Sequence, residues 1–121
     1  MHAFTLQDWT TIQGGVVTVL QGEEGYLDLT PYQDVIFWLD VRQATGTPGV
    51  TYQTSPTKDE SLFQGMVTAV AMAAASTPTV TKALLSSATT PIARYLRWSI
   101  TGTVSWSATF RIIIAANAPG M

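Results

Sequence analysis

The chain has 121 residues, enough for one domain with a substantial hydrophobic core, and only 12% of them are charged, for a net charge of −2. It contains no cysteine, which excludes disulfides and thiolate metal sites. All eight acids and only two of the six bases lie in residues 1–60, so the two halves carry opposite charge, without the dense Lys/Arg stripe of a nucleic-acid binder.

Thr and Ser replace charge as the polar component, with 19 and 8 copies. A β-branched hydroxyl suits a pleated, half-wet surface, so the composition points to β structure. The start, Met1-His2-Ala3-Phe4-Thr5, lacks the basic and apolar regions of a signal peptide, which implies synthesis for the cytoplasm. The longest apolar stretch, Met66 to Ala75, is about half of what a bilayer crossing requires, so no membrane partner is expected.

Turn signals recur every 8 to 15 residues, at Gly14-Gly15, Gly22 to Gly25, Thr30-Pro31, Gly46 to Gly49, Ser55 to Asp59, Thr77-Pro78, Thr89 to Pro91 and Gly102. The breaks leave strands near 3–12, 16–21, 26–29, 34–43, 49–55, 63–73, 79–85, 94–101 and 103–115. Eight to nine strands at this rhythm predict an all-β, antiparallel β-sandwich of jelly-roll type spanning residues 1–121 as a single domain. The ends, residues 1–5 and 115–121, read as partly free arms.

In the strand at 34–43 the parity places Val35, Phe37, Leu39 and Val41 inward and Ile36, Trp38, Asp40 and Arg42 outward. The segment 66–75 mixes alanine with Val and Thr; it reads as a strand with small residues on both faces, open to a second layer through positions such as Val70 and Ala71. Near the end, Leu96, Trp98 and Ile100 alternate with Tyr95, Arg97 and Ser99. Then Val104, Trp106, Ala108, Phe110, Ile112 and Ile114 alternate with Ser105, Ser107, Thr109 and Arg111. Gly102 sits where a hairpin turn would join these two runs as an antiparallel pair. The glycines at 14–15 and 46–49 also read as hairpin turns, because neither pair has the Lys and helix of a phosphate loop.

Catalytic chemistry finds little support. The single histidine, His2, lies at the chain end, and the acids sit at turns and strand ends where they are solvated, so no enzyme is expected. A calcium site from Glu23, Glu24 and Asp28 matches no loop pattern, so neither metal nor cofactor is expected. Aromatic and arginine side chains remain as binding groups. Trp38, Tyr95 and Arg97 fall on the outward parity and, with Val70 and Ala71, form the candidate interface, while the orientation of Trp9 is open.

The runs Gln33-Asp34-Val35-Ile36-Phe37-Trp38-Leu39-Asp40-Val41 and Tyr52-Gln53-Thr54-Ser55-Pro56 resemble small jelly-roll modules of tailed-bacteriophage virions. Residues 94–114 are similar to the closing hairpin of those modules and of galactose-binding-like carbohydrate modules. The resemblance implies a head decoration, cement or minor capsid protein at the virion surface, made in the host cytoplasm, with no cofactor. Its implied partners are further copies of itself, as a trimer before a dimer, and a major capsid protein. A carbohydrate-binding module for host glycans is the alternative.

Overall fold

A computed structural model describes residues 2–15, 18–84 and 88–118 of the chain. Among these residues ten strands form two antiparallel sheets: β1 (His2–Gly14), β2 (Val19–Leu20), β3 (Leu27–Asp28), β4 (Asp34–Thr45), β5 (Gly49–Ser55), β6 (Gln64–Gly65), β7 (Val70–Ala71), β8 (Thr79–Ala83), β9 (Tyr95–Thr101) and β10 (Trp106–Asn117). The first sheet runs β1-β10-β4-β8 and the second β2-β9-β5-β6, with β3 on β9 and β7 on β5. Both short pairs are single strands with an interruption. β2 and β3 follow one another antiparallel along β9, with the register shifted where the 3-10 turn at Glu23–Gly25 parts them, and β6 and β7 follow one another along β5 with a smaller shift. Counted as eight strands, the order is 1-8-3-6 in one sheet and 2-7-4-5 in the other, the connectivity of a jelly roll.

The core lies where the inward parities meet. Val35, Phe37, Leu39 and Val41 of β4, Leu96, Trp98 and Ile100 of β9, and Trp106, Ala108, Phe110, Ile112 and Ile114 of β10 are all buried, as their alternation predicts. Two aromatic contacts cross between the sheets. Phe37 and Tyr52 stack with ring centroids 3.6 Å apart, and Trp98 meets Phe110 edge-on at 5.7 Å. Burial of the Tyr52 phenol raises its pKa far above the ordinary value. On the outer face, Thr and Ser hydroxyls pair across strands, Thr11 with Thr109 at 2.8 Å and Thr45 with Ser107 at 3.1 Å, which is how hydroxyls stand in for charge there.

Several expectations are corrected. β9 and β10 do not form a hairpin: β9 belongs to the second sheet and β10 to the first, so residues 102–105 cross between sheets. Val104, expected inward, is exposed on that crossing. The glycines at 14–15 and 46–49 likewise join strands of opposite sheets, β1 to β2 and β4 to β5, and in the second crossing Gly46 and Thr47 take positive φ values of 77° and 51°. Of the segment 66–75, only Val70–Ala71 is extended and paired, while Met66 and Met72 are buried in the core as anchors. The expected arms are strand: His2 to Thr5 pair with Ile113 to Ala116 in one antiparallel ladder, and Ala116 is fully buried. Residues 1, 16–17, 85 and 119–121 of the expected elements lie outside the described residues.

Gly102 has a different reason to be glycine. A Cβ there would stand 2.4 Å from Cδ1 of the buried Trp106 indole, and one on Gly14 would stand 2.5 Å from Cε2 on the same ring. The indole therefore fills a slot walled by two bare backbones. Gly102→Ala is expected to destabilise the fold by about 1–3 kcal/mol through overpacking, since a rigid buried ring cannot step aside. Thermal denaturation of the variant against the parent checks this, and an unchanged midpoint would show that the slot has slack.

Candidate interaction face

The outer face of the first sheet is shaped by register shifts against β10, two of them at one level and a further one in β1 between Thr5 and Gln7. Thr109 and Phe110 pair with Gln43 and Val41, which leaves Arg42 as an extra residue in β4. On the other side of β10, Ile112 and Phe110 pair with Gln7 and Thr10, which leaves an extra residue in β1 where Asp8 and Trp9 lie. A bulge bends its strand and re-aims the side chain it carries. Here Trp9 is 38% exposed, and the guanidiniums of Arg42 and Arg111 each lie 4.9 Å from its ring centroid. The Trp9 N–H donates to the Asp8 carboxylate at 2.8 Å, which steadies the bulge.

Directly across the ladder from Arg111 stands Asp40, and Arg111 Nε donates to its carboxylate at 3.2 Å. Two residues along, Trp38 lies between Ile113 of β10 and Val80 of β8 in register. Trp38, Asp40, Pro78, Arg111 and Ile113 line an open cleft of about 260 Å3. The patch thus joins two tryptophans, two arginines, one carboxylate and apolar side chains, the composition found at the centre of protein interfaces.

The other expected interface residues are elsewhere. Tyr95 and Arg97 sit on the second sheet, on the opposite side of the sandwich, and Val70 and Ala71 lie at that sheet's edge on β5. Tyr95 faces Arg94 at 5.0 Å and Lys58 at 5.6 Å. Arg97, expected outward and wet, is buried with only 5% of its side chain exposed. It lies 4.0 Å from the Phe63 ring centroid, donates to Gln53 Oε1 at 2.8 Å and to the Tyr26 hydroxyl at 3.0 Å, and has Glu60 at 3.6 Å. Tyr26 and Phe63 close over it in an edge-to-face pair at 5.0 Å. Ser99 beside it is also buried, so β9 is covered on both faces. Trp9 and Arg42 were not among the expected interface residues, because a bulge has no signature in the alternation of a strand.

The acids considered for calcium are dispersed in role. Asp28 is held by Arg94, whose NH2 group lies 3.1 Å from its carboxylate, and by the Thr30 N–H at 3.1 Å. Among the described residues no three His, Cys, Asp or Glu side chains come together as a metal site, and no helix is long and apolar enough to cross a membrane. The Arg94 hydrogen bond first, and the Thr30 backbone N–H second, hold the Asp28 carboxyl down to about 2 from an ordinary 3.8. Because the folded value is the lower one, this contribution to stability is complete above the ordinary carboxylate range and is lost as pH falls toward 2. In carboxyl-carbon NMR titrations Asp28 is expected to titrate near pH 2, and Arg94→Ala is expected to move that midpoint up toward the ordinary value. An unmoved midpoint would assign the depression to Thr30 alone.

No known protein family matches the chain, and no curated protein sequence matches it. Among solved structures it is similar to a chain in the structure of infectious bursal disease virus Gx strain, at 15% sequence identity and a TM-score of 0.46. That likeness covers 98% of this chain, which spans 32% of the length of the other. The jelly-roll assignment rests on the strand order itself.

Proposed function

We propose that the chain is a non-enzymatic structural component of a virion, of the head-decoration, cement or minor-capsid kind, which self-associates and docks on a capsid shell. The observation that carries this reading is the outer face of the first sheet. Two bulges at one level bring Trp9 between the guanidiniums of Arg42 and Arg111, beside a cleft lined in part by Trp38. Trp and Arg in one patch are the residue types that dominate binding energy at protein interfaces, and the bulges re-aim the side chains they carry. The resemblance of residues 33–41 and 52–56 to phage jelly-roll modules supplies the class of partner.

A carbohydrate-binding module is the second reading, favoured by one observation: Trp38 lies beside the Asp40–Arg111 pair in an open cleft, an aromatic platform with polar groups at its edge. Density-gradient centrifugation of particles from the source culture, with Trp9→Ala/Arg42→Ala as a control, separates the two. Cofractionation of the parent chain with particles and its loss in the variant are expected. A chain that stays in the soluble fraction, but binds a glycan array through Trp38, would replace the first reading with the second.

A further inference from the structure

A second rigid feature of opposite charge stands on the other sheet. Glu23 and Glu24 lie in the 3-10 turn between β2 and β3, where all of Gly22 to Gly25 is exposed. The turn is not loose. Gln21, 5% exposed, donates through its amide nitrogen to the carbonyls of Leu6 at 2.7 Å and Gly25 at 2.9 Å. Its amide oxygen accepts the Trp98 N–H at 3.2 Å, and its own N–H donates to the Trp98 carbonyl at 3.1 Å. A buried glutamine with four hydrogen bonds thus presents two glutamates to solvent on a fixed base. Among the described residues neither glutamate has an ion pair, and Arg42 on the first sheet has none either. Arg111 is shared between Asp40 and Trp9, and its side chain stays 41% exposed.

We infer that the Trp9–Arg42–Arg111 face receives the Glu23–Glu24 turn of a second copy of this chain, in a head-to-tail contact. This deepens the self-association in the proposed function and rests on it. Three features argue for this occupant. The charges are complementary, two free carboxylates against one free guanidinium and a second only partly neutralised. Both halves are pre-organised, the face by paired bulges and the turn by Gln21, so little ordering entropy opposes the contact. The two surfaces are different patches, the turn standing beside β1, where Gln21 bonds the Leu6 carbonyl, and the face lying on the outside of the first sheet; such a heterologous contact closes into a ring when its rotation permits, which agrees with a trimer rather than a dimer. Two carboxylates on the face work against the contact: Asp40, already paired with Arg111, and Asp8, whose side chain accepts the Trp9 backbone N–H at the bulge.

The test is sedimentation velocity on the full chain at tens of micromolar, with two charge-reversal variants, Glu23→Lys/Glu24→Lys and Arg42→Glu. All three positions are exposed, so both variants are expected to melt like the parent. The parent is expected to associate in low salt and to dissociate as ionic strength rises, and each variant alone is expected to associate roughly a hundredfold more weakly. Mixed one to one, the variants are expected to associate again, because the intact face of one meets the intact turn of the other. A parent that associates while both variants associate equally well would overturn this contact and leave self-association standing through another surface. A parent that stays monomeric in low salt would overturn both the contact and the self-association it rests on. Recovery that fails in the mixture would also overturn it, by showing that the two surfaces do not meet each other.

Discussion

Replacing Phe110 with Ala is expected to lower the free energy of unfolding by about 3–5 kcal/mol and the melting temperature by roughly 10–20 °C. Phe110 is fully buried at the level of β10 where both neighbouring strands carry a bulge, and it meets Trp98 of the opposite sheet edge-on. The substitution therefore removes a large apolar surface from water and opens a cavity where the two sheets touch. The bulged neighbours on either side are committed to presenting Trp9 and Arg42 outward, so they have little freedom to collapse into that cavity. The adjacent Thr109→Ala is the control. It loses one hydroxyl contact, to Thr11 on the outer face, and is expected to cost less than about 1 kcal/mol. Urea denaturation followed by tryptophan fluorescence measures both, and the opposite ranking would mean that β10 faces the other way.

Arg97→Ala is expected to cost about 2–4 kcal/mol, a large effect for a side chain that the alternation of β9 assigns to the wet face. Its guanidinium is desolvated beneath Tyr26 and Phe63 and is satisfied by Gln53, the Tyr26 hydroxyl and the more distant Glu60. Without it the two aromatic rings lose the cation they cover, and the segments bearing them lose their attachment to the second sheet. Arg97→Lys keeps the charge but not the flat fork that bonds Gln53 while lying against Phe63, so it is expected to recover less than half of the loss. Glu60→Gln is expected to matter little, under about 1 kcal/mol, because that carboxylate is 66% exposed and 3.6 Å from its partner. Denaturant midpoints at neutral pH decide among these. Parent-like stability for Arg97→Ala would mean that the aromatic cover holds without its cation. Arg97 is enclosed by its own chain, so folded Arg97→Lys is expected to associate as the parent does, whereas Arg42→Glu does not.

The alternation of apolar and polar residues by itself determined the strands and their inward faces. β4, β9 and β10 bury Val35 to Val41, Leu96 to Ile100 and Trp106 to Ile114 as the parity requires, because side chains on a strand alternate between two faces whatever lies beside the strand. The turn residues placed most of the breaks, though not the one between β6 and β7, inside the expected strand at 63–73. Which strand lies beside which was decided only in three dimensions. A two-residue period says which face is buried but nothing about the neighbour, so Gly102 reads as a hairpin turn when its backbone is in fact a wall of the Trp106 slot. Burial of the second face of β9 was equally hidden, since the residues covering Arg97 come from positions 26 and 63, far away in the chain. The candidate face depends on the extra residue at Arg42 in β4 and the one between Gln7 and Thr10 in β1, set by the register of both strands on β10. Register is a property of paired strands, so Trp9 and Arg42 became neighbours only when the sheet formed.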